Sequence, residues 1–218
     1  MFTGIIEALG TLRKIDRKGD DIRLNVASGS LDLSDVKLGD SIATNGVCLT
    51  VVQCLPDGYV ADISAETVAL TGFADYKVGQ KVNLEKAVMP TTRLGGHMVS
   101  GHVDGIARVE QRNVRGKAIE FWLLAPEDLS RYIAHKGSIT VDGVSLTVNE
   151  IDGHRFRLTI VPHTAEETTL LALQAGSKVN IEVDLIARYL ERLMSAEKAT
   201  KSEGGITMEM LANAGFMR

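Results

Sequence analysis

The chain has 218 residues, and its 24 Lys and Arg against 28 Asp and Glu give a formal net charge of −4 at pH 7. This length allows one or two domains. The chain has no block of basic residues to supply phosphate contacts, and no apolar run approaches the roughly 20 residues of a membrane span. The sequence therefore argues against a nucleic-acid partner and against a membrane protein.

Cysteine usage and the first residues indicate a compartment. Cys48 and Cys54 are the two cysteines of the chain, too few for a disulfide framework and wrongly spaced for a zinc site. The five histidines show no recognisable metal-ligand spacing, so we predict no metal site. No charged segment followed by an apolar core stands at the start, and we expect no secretion signal. A cytoplasmic protein fits these features best.

The first half of the chain predicts short strands joined by turns. Residues 1–7 are largely apolar and predict a strand at once, and residues 22–26 alternate apolar and polar side chains as a half-buried strand does. Asn45-Gly46 and Asp57-Gly58 are strong hairpin signals. Short helical pieces are expected at residues 34–36, 66–70, 127–134 and 166–172.

The second half of the chain repeats the first. Residues 45–51 read NGVCLTV and residues 142–148 read DGVSLTV, an offset of 97 that also aligns Gly4 with Gly101. One module is therefore built twice, and each copy of roughly 95 residues is large enough for its own core. About six short strands in each module, with at most short helices between them, predict an all-β fold of two closed barrels rather than a βαβ fold.

A linker separates the two modules. Residues 89–97 read MPTTRLGGH, a proline- and glycine-rich connection. We therefore predict a first barrel with its linker at 1–97, a second barrel at 98–184, and a helix with a tail at 185–218.

The predicted terminal helix carries an apolar stripe. From Leu185 to Met194 apolar side chains recur every three or four residues, and Asp184 stands in front as a candidate N-cap. The stripe must be buried, either on its own barrel or against the same helix of other subunits. We favour the second because the first module has no such helix. Residues 202–205, SEGG, predict a flexible break before the tail.

One position of the repeated stretch changes its chemistry between the modules. Cys48 of the first module corresponds to Ser145 of the second. Strand alternation puts Thr50 and Thr147 on the same faces as these two residues, so each face can line a polar pocket. The alternative is a small residue on an inward strand face, since unpaired cysteine is usually a buried hydrophobic residue.

Three motifs together resemble one family. The chain opens with MFTGIIE, carries the doubled NGVCLTV and DGVSLTV, and joins its modules through GGHMVSGHV at residues 95–103. These motifs closely resemble the riboflavin synthase family of the α-chain type, and the resemblance covers both modules and the terminal helix. It implies two tandem six-stranded Greek-key β-barrels and a C-terminal α-helix. It also implies a homotrimer in which the first barrel of one subunit faces the second barrel of a neighbour.

The resemblance implies a cofactor-free reaction between two copies of one substrate. One molecule of 6,7-dimethyl-8-ribityllumazine would donate a four-carbon unit to another, giving riboflavin and 5-amino-6-ribitylamino-pyrimidinedione. A duplicated chain suits this chemistry, because two similar pockets can face each other. Lumazine synthase is a candidate protein partner.

The resemblance also implies site residues in each module. The predicted first pocket consists of Gly4, Ile5, Ile6, Cys48, Leu49, Thr50, Asp62, Ile63, Ser64, Ala65, Glu66 and Thr67. The predicted second pocket consists of Gly101, His102, Val103, Lys136, Ser145, Leu146, Thr147, Thr159, Ile160, Val161, Pro162, His163 and Thr164. The catalytic candidates are His102, Ser41, Cys48 and Asp184.

The two modules differ at several predicted site positions, as we expect if one pocket binds the lumazine that donates the four-carbon unit and the other binds the lumazine that accepts it. His102 replaces Ile5, and Lys136 replaces Gly39. Removing a proton from the 7-methyl group of the lumazine requires a base, and a histidine with an ordinary pKa near roughly 6.5 can serve at neutral pH. The alternatives stay open: His102 as a hydrogen-bonding residue at the barrel mouth, Lys136 as a solvated turn residue, and Asp184 as a helix cap.

Two other classes of protein share features with this sequence. A non-catalytic lumazine- or flavin-binding protein of the same fold is the main alternative, and we would expect it to degrade one of its two pockets. Here the pairs Gly4 and Gly101, and Thr50 and Thr147, persist in both modules. A flavin oxidoreductase is disfavoured because no GxGxxG motif follows a strand.

Overall fold

In the computed structural model, which describes residues 1–202 and Ala214, two closed antiparallel β-barrels follow one another along the chain. The strands of the first are β1 (Ala8–Lys18), β2 (Asp21–Ala27), β3 (Ser41–Thr44), β4 (Val47–Leu55), β5 (Gly58–Ile63) and β6 (Lys81–Lys86). The strands of the second are β7 (Gly105–Arg115), β8 (Ala118–Leu124), β9 (Ser138–Val141), β10 (Val144–Asp152), β11 (Arg155–Ile160) and β12 (Lys178–Val183). Each barrel closes in the Greek-key order first, second, fifth, fourth, third, sixth. The predicted fold of two six-stranded barrels is confirmed.

Short helices connect the strands. The α-helices are α1 (Ala65–Leu70), α2 (Pro162–Glu166) and α3 (Leu185–Ser202), and the 3₁₀ turns are Gly72–Ala74, Glu127–Tyr132 and Thr169–Ala172. The helices predicted at 66–70 and 127–134 are present. The one predicted at 166–172 is divided, because Pro162 starts α2 early and a 3₁₀ turn follows. The one predicted at 34–36 is wrong: the Asp32 carboxylate accepts from Ser34 N at 2.9 Å and holds a turn.

The two predicted hairpins at the repeated stretch are tight turns that touch each other. Asn45 and Gly46 have φ of 47° and 80°, and Asp142 and Gly143 have 46° and 81°, the left-handed pair that a two-residue hairpin requires. A Cβ added to Gly46 would lie 2.7 Å from the Gly143 nitrogen, and the reverse approach is equally close. Glycine at both tips therefore lets the two barrels meet along their backbones.

Buried amides fix the two barrels against each other. Asn83 Nδ2 donates to the Asp142 carbonyl at 2.9 Å, and Asn180 Nδ2 donates to the Asn45 carbonyl at 2.9 Å. Asn83 Oδ1 also accepts from Thr169 N at 2.8 Å. Since these bonds lie out of water and join one module to the other, they specify a single relative orientation of the barrels.

The opening segment is not a barrel strand, so the strand predicted at residues 1–7 is wrong. Phe2 makes an isolated bridge with Val99, and Phe2 N donates to Val99 O at 2.8 Å. The Glu85 carboxylate accepts from Thr3 N, Thr3 Oγ1 and Gly4 N at 2.6, 2.7 and 2.9 Å. These bonds tie the segment to the last strand of its own barrel through a side chain, in place of the backbone pairing of a strand, and Gly4 there has a positive φ of 76°.

The chain divides into two compact units, Met1–Leu185 and Ile186–Arg218. The second contains nearly all of α3, so the predicted terminal helix is confirmed. Its apolar stripe is exposed at Ile186, Tyr189, Leu190, Leu193 and Met194. The break predicted at 202–205 and the tail lie outside the described residues, apart from Ser202 and Ala214. None of the described helices is both long and apolar enough to cross a membrane.

Candidate functional site

A cavity of about 220 Å³ opens beside Cys48. One wall comes from the first module and the other from the second. The lining residues are Val47, Cys48, Glu66, Thr67, Leu70, Thr71, Gly101, His102 and Val103. The sequence grouped residues 101–103 with the second pocket and residues 4–6 with the first, and this grouping is wrong.

The opening segment of each module crosses to the barrel of the other. Cys48 N donates to Gly101 O at 2.8 Å, and Ser145 N donates to Gly4 O at 2.7 Å. A Cβ on Gly4 would lie 2.6 Å from Ser145 Cβ, and one on Gly101 would lie 2.7 Å from Cys48 Cβ. Only glycine lets the backbone come this close. The Cys48 pocket thus receives residues 101–103, and by the repeat the Ser145 pocket receives residues 4–6.

The crossing delivers different side chains to the two pockets. Val103 packs against the first core, and its repeat partner Ile6 packs against the second core. Beside them stand His102, which is exposed in the Cys48 cavity, and Ile5, which is exposed at the repeat-related position. The first pocket therefore gains an imidazole where the second gains an aliphatic side chain.

Cys48 and Thr50 lie on the outer face of β4, so the inward-facing alternative is wrong. Cys48 is half-buried and Thr50 is exposed. The residues of this strand that enter the core are Val47, Leu49 and Val51. Ser41 on β3 pairs directly with Thr50, and residues that pair directly share one face of the sheet. A hydroxyl, a thiol and a second hydroxyl thus line one outer surface.

Several predicted binding residues are core residues. Leu49, Ile63 and Ile160 are buried inside the barrels, and Leu146 packs against the second core. Their side chains face away from the outer surface that carries Cys48. They can therefore offer a substrate only their backbone groups.

The segment after β5 is held in place by polar contacts. Arg23 binds the Asp62 carboxylate through two nitrogens at 2.6 and 2.7 Å, and this hydrogen bonding lowers the pKa of Asp62. Ser64 caps α1, with its Oγ 3.1 Å from Thr67 Oγ1. Glu66 of the same helix, together with Thr67, lines the cavity. Ala65, at the start of α1, is exposed.

The matching segment of the second module has a different charge arrangement. Thr159 replaces Asp62, and its Oγ1 accepts from Arg157 Nη1 at 3.3 Å. The same nitrogen lies 2.9 Å from Glu120, which is buried at the position of Arg23. The other predicted residues stand at the start of α2, in the order Val161, Pro162, His163 and Thr164.

Ser145 has a partner that the sequence did not predict. His97 Nδ1 lies 2.7 Å from Ser145 Oγ. Burial lowers the pKa of His97, and the nearby Asp184 carboxylate partly opposes this effect. A Cβ on Gly96 would lie 2.7 Å from Ser145 Cβ, so the linker runs directly over the serine. His97 was missed because the linker lies outside the paired stretches of the repeat.

Two further positions at these sites could have been identified from the sequence. Ser138 pairs directly with Thr147, as Ser41 does with Thr50, and the offset of 97 could have identified it. Leu70 lines the cavity one helical turn after Thr67, a spacing that the α1 prediction already contained.

Lys136 stands at an unusual backbone position. Its φ is 66°, and the first module has Gly39 there, with φ of 91°. The lysine side chain is exposed in the turn before β9. Among the described residues, no three His, Cys, Asp or Glu side chains gather as a metal site would require.

Comparison with known proteins points to one family. The model of the lumazine binding domain matches residues 3–87 and 100–184. The chain is 55% identical to a riboflavin synthase of Photobacterium phosphoreum over 217 residues, which cover 100% of both proteins. It is 41% identical to a riboflavin synthase of Bacillus subtilis (strain 168) over 216 residues, covering 99% of this chain and 100% of that protein.

A solved structure shares the arrangement of the barrels. The crystal structure of LumP complexed with riboflavin has a TM-score of 0.79 and 30% sequence identity, and the match covers 84% of this chain and 99% of that one. The two family repeats coincide with the two barrels, and the similarity to riboflavin synthases runs through the whole chain. The chain therefore belongs to the riboflavin synthase family.

Proposed function

We propose that this enzyme, a transferase, converts two molecules of 6,7-dimethyl-8-ribityllumazine into riboflavin and 5-amino-6-ribitylamino-pyrimidinedione. One lumazine gives a four-carbon unit to the other. The observation that carries the proposal is the pair of repeat-related sites at Cys48 and Ser145, each approached by the opening segment of the other module. A reaction between two copies of one molecule needs two sites of similar shape and unequal chemistry.

The first pocket needs a further wall. Its volume of about 220 Å³ lies below the roughly 300 to 1,000 Å³ of typical small-molecule pockets. We propose that the second barrel of a neighbouring subunit closes it, so that two lumazine rings face each other. The exposed stripe of α3 supports a homotrimer held by this helix, because an apolar stripe at water is stabilised by burial against its own copies.

Positioning supplies much of the proposed catalysis. Holding two rings in a fixed pose turns a bimolecular encounter into a unimolecular one, an effect on the order of 7 to 11 kcal/mol. His102 is the proposed base of the first pocket. Its backbone is fixed, since His102 N donates to Ser100 Oγ at 3.3 Å and Ser100 is held by Glu182 at 2.7 Å. Ser41, Cys48 and Thr50 supply polar contacts along the outer strand face.

The cellular setting is part of the proposal. The free thiols of Cys48 and Cys54 support a reducing compartment, and we propose the cytoplasm. Lumazine synthase stays the proposed protein partner, because an enzyme of that name makes the lumazine that the proposed reaction consumes.

Similarity to LumP favours a second candidate, a non-catalytic lumazine-binding protein. Incubating the purified protein with 6,7-dimethyl-8-ribityllumazine and separating the products by chromatography distinguishes the two. We expect riboflavin and the pyrimidinedione in equal amounts. Tight lumazine binding without either product would instead favour the binding protein.

A further inference from the structure

The serine and the cysteine at the repeated position have opposite surroundings. Cys48 packs against an apolar cluster that contains Phe2, Ala43 and Val99. Ser145 instead meets the imidazole of His97, with Nδ1 2.7 Å from Oγ. The same strand position thus carries a thiol in an apolar setting in one module and a hydroxyl bonded to a titratable group in the other.

The backbone of His97 is tied to the first module, and a carboxylate of the second module acts on its imidazole. His97 N donates to Thr3 O at 3.1 Å, which ties the linker to the opening segment of the first module. The Asp184 carboxylate raises the pKa of the ring, against the larger and opposite effect of burial. In the first module Ala87 stands at the position of Asp184, so the carboxylate belongs to the second module alone.

We propose that His97 and Ser145 form a proton relay at the second pocket, in which Ser145 meets the substrate and His97 is a positioning residue that acts through it. This inference rests on the proposed function. It assigns the second pocket its own group for moving protons, separate from His102 in the first.

The proposed reaction requires such a group. Its products include a pyrimidinedione with N–H bonds that the starting lumazine lacks, so protons leave methyl carbons and arrive at ring nitrogens. When a C–H bond breaks, its electron pair stays in the ring system and its proton passes to Ser145 Oγ while the serine proton passes to His97 Nδ1. The reverse transfer delivers a proton to a nitrogen of the departing ring. No oxidant or reductant enters either step.

The electrostatics of the site suit both directions of transfer. Burial lowers the pKa of His97 and so favours the uncharged imidazole, whose Nδ1 can accept the serine proton. The Asp184 carboxylate then stabilises the imidazolium that forms, as a carboxylate does beside other serine–histidine pairs.

The substitution His97→Asn tests the relay, because asparagine keeps a hydrogen-bonding group near the place of Nδ1 but cannot titrate. We expect kcat to fall by about 100-fold, KM to change by less than about threefold, and the acid limb of the kcat–pH profile to disappear. The matched control is His154→Asn. His154 also contacts a serine, with Nδ1 3.0 Å from Ser130 Oγ, but on the exposed surface. It should keep the wild-type kcat and pH profile.

The outcomes separate the relay from the proposed function. A His97→Asn variant that is folded by circular dichroism and retains wild-type kcat and its pH profile would overturn the relay and leave the proposed function standing. A wild-type protein that binds lumazine but forms no riboflavin would overturn both. If His97→Asn does not fold, Ser145→Ala replaces it, because this substitution leaves the bond between His97 and Thr3 in place. We expect the same fall in kcat and the same loss of the acid limb of the pH profile.

Discussion

Glycine at position 4 shows how one missing Cβ decides where a pocket forms. Gly4 has φ of 76°, and its backbone touches Ser145. The doubled glycines were visible in the sequence, and so was the turn they allow. The sequence did not show which barrel each glycine would touch. The contact of Gly4 depends on a serine 141 residues further along the chain, and local patterns carry no information at that distance.

We predict that Gly4→Ala destabilises the protein by about 3 kcal/mol and abolishes ligand binding in the second pocket, because strain at positive φ adds to a clash with Ser145 Cβ at 2.6 Å. Gly19→Ala is the matched control. Its φ is 63°, but a Cβ there meets nothing within 4 Å, so it should cost only about 1 kcal/mol. Urea unfolding and lumazine fluorescence titration measure both effects. Equal losses in the two variants would mean that the close approach is unimportant.

Hairpins and strands were the elements that the sequence predicted best. Alternation and a two-residue turn such as Asn45-Gly46 are local properties, so the β3–β4 and β9–β10 hairpins follow from a few neighbouring residues. The start of β1 did not follow, since the chain before it is bound by Glu85 from the last strand of the same barrel. The sequence also left open whether Cys48 faces the core or a pocket, because a pattern of alternation does not say which face is the core.

Asp142, in the turn of the second hairpin, should make the stability of the protein depend on pH. Burial raises the pKa of Asp142 to about 7. The folded state thus binds this proton more tightly than the unfolded state, and the resulting stabilisation, present at low pH, is lost as pH rises through about 7. In the first hairpin Asn45 Nδ2 donates to Tyr76 Oη at 2.8 Å, and Leu173 replaces that tyrosine in the repeat.

We expect Asp142→Asn to raise the free energy of unfolding above pH 7, by at most about 4 kcal/mol, and to have little effect near pH 4. Thermal unfolding between pH 4 and pH 9 measures the difference. Asn45→Asp is the matched variant, which should introduce the same loss at high pH in the first hairpin. A stability difference that does not change with pH would show that Asp142 is not the titrating group.

At the scale of the whole molecule, the contacts between the two barrels differ from the surface that α3 presents. Buried amides and crossing segments join the barrels within residues 1–185, whereas the α3 stripe is exposed. If the proposed trimer is held by α3, removing residues 185–218 should leave both barrels folded and yield a monomer. Riboflavin formation should then fall by about tenfold or more, because the proposed meeting of pockets between subunits is lost. Light scattering and circular dichroism test this. A truncated chain that still forms a trimer would place the subunit contacts elsewhere.

The crossing of the opening segments also predicts how the first module behaves when it is made alone. Residues 1–97 contain a full barrel and its core, but the Cys48 pocket needs residues 101–103, which the fragment lacks. Its own residues 4–6 are the repeat partners of that segment. Two copies should therefore exchange them, with Gly4 of one seated on Cys48 of the other, and lumazine binding should rise with dimer formation. Sedimentation and fluorescence titration over a range of fragment concentrations measure dimer formation and lumazine binding together.

Turnover by the fragment should stay far below that of the whole chain, because His97 would face Cys48 instead of Ser145 and His102 is left behind. A monomeric fragment that binds lumazine at full strength would mean that the pocket does not need the crossing segment.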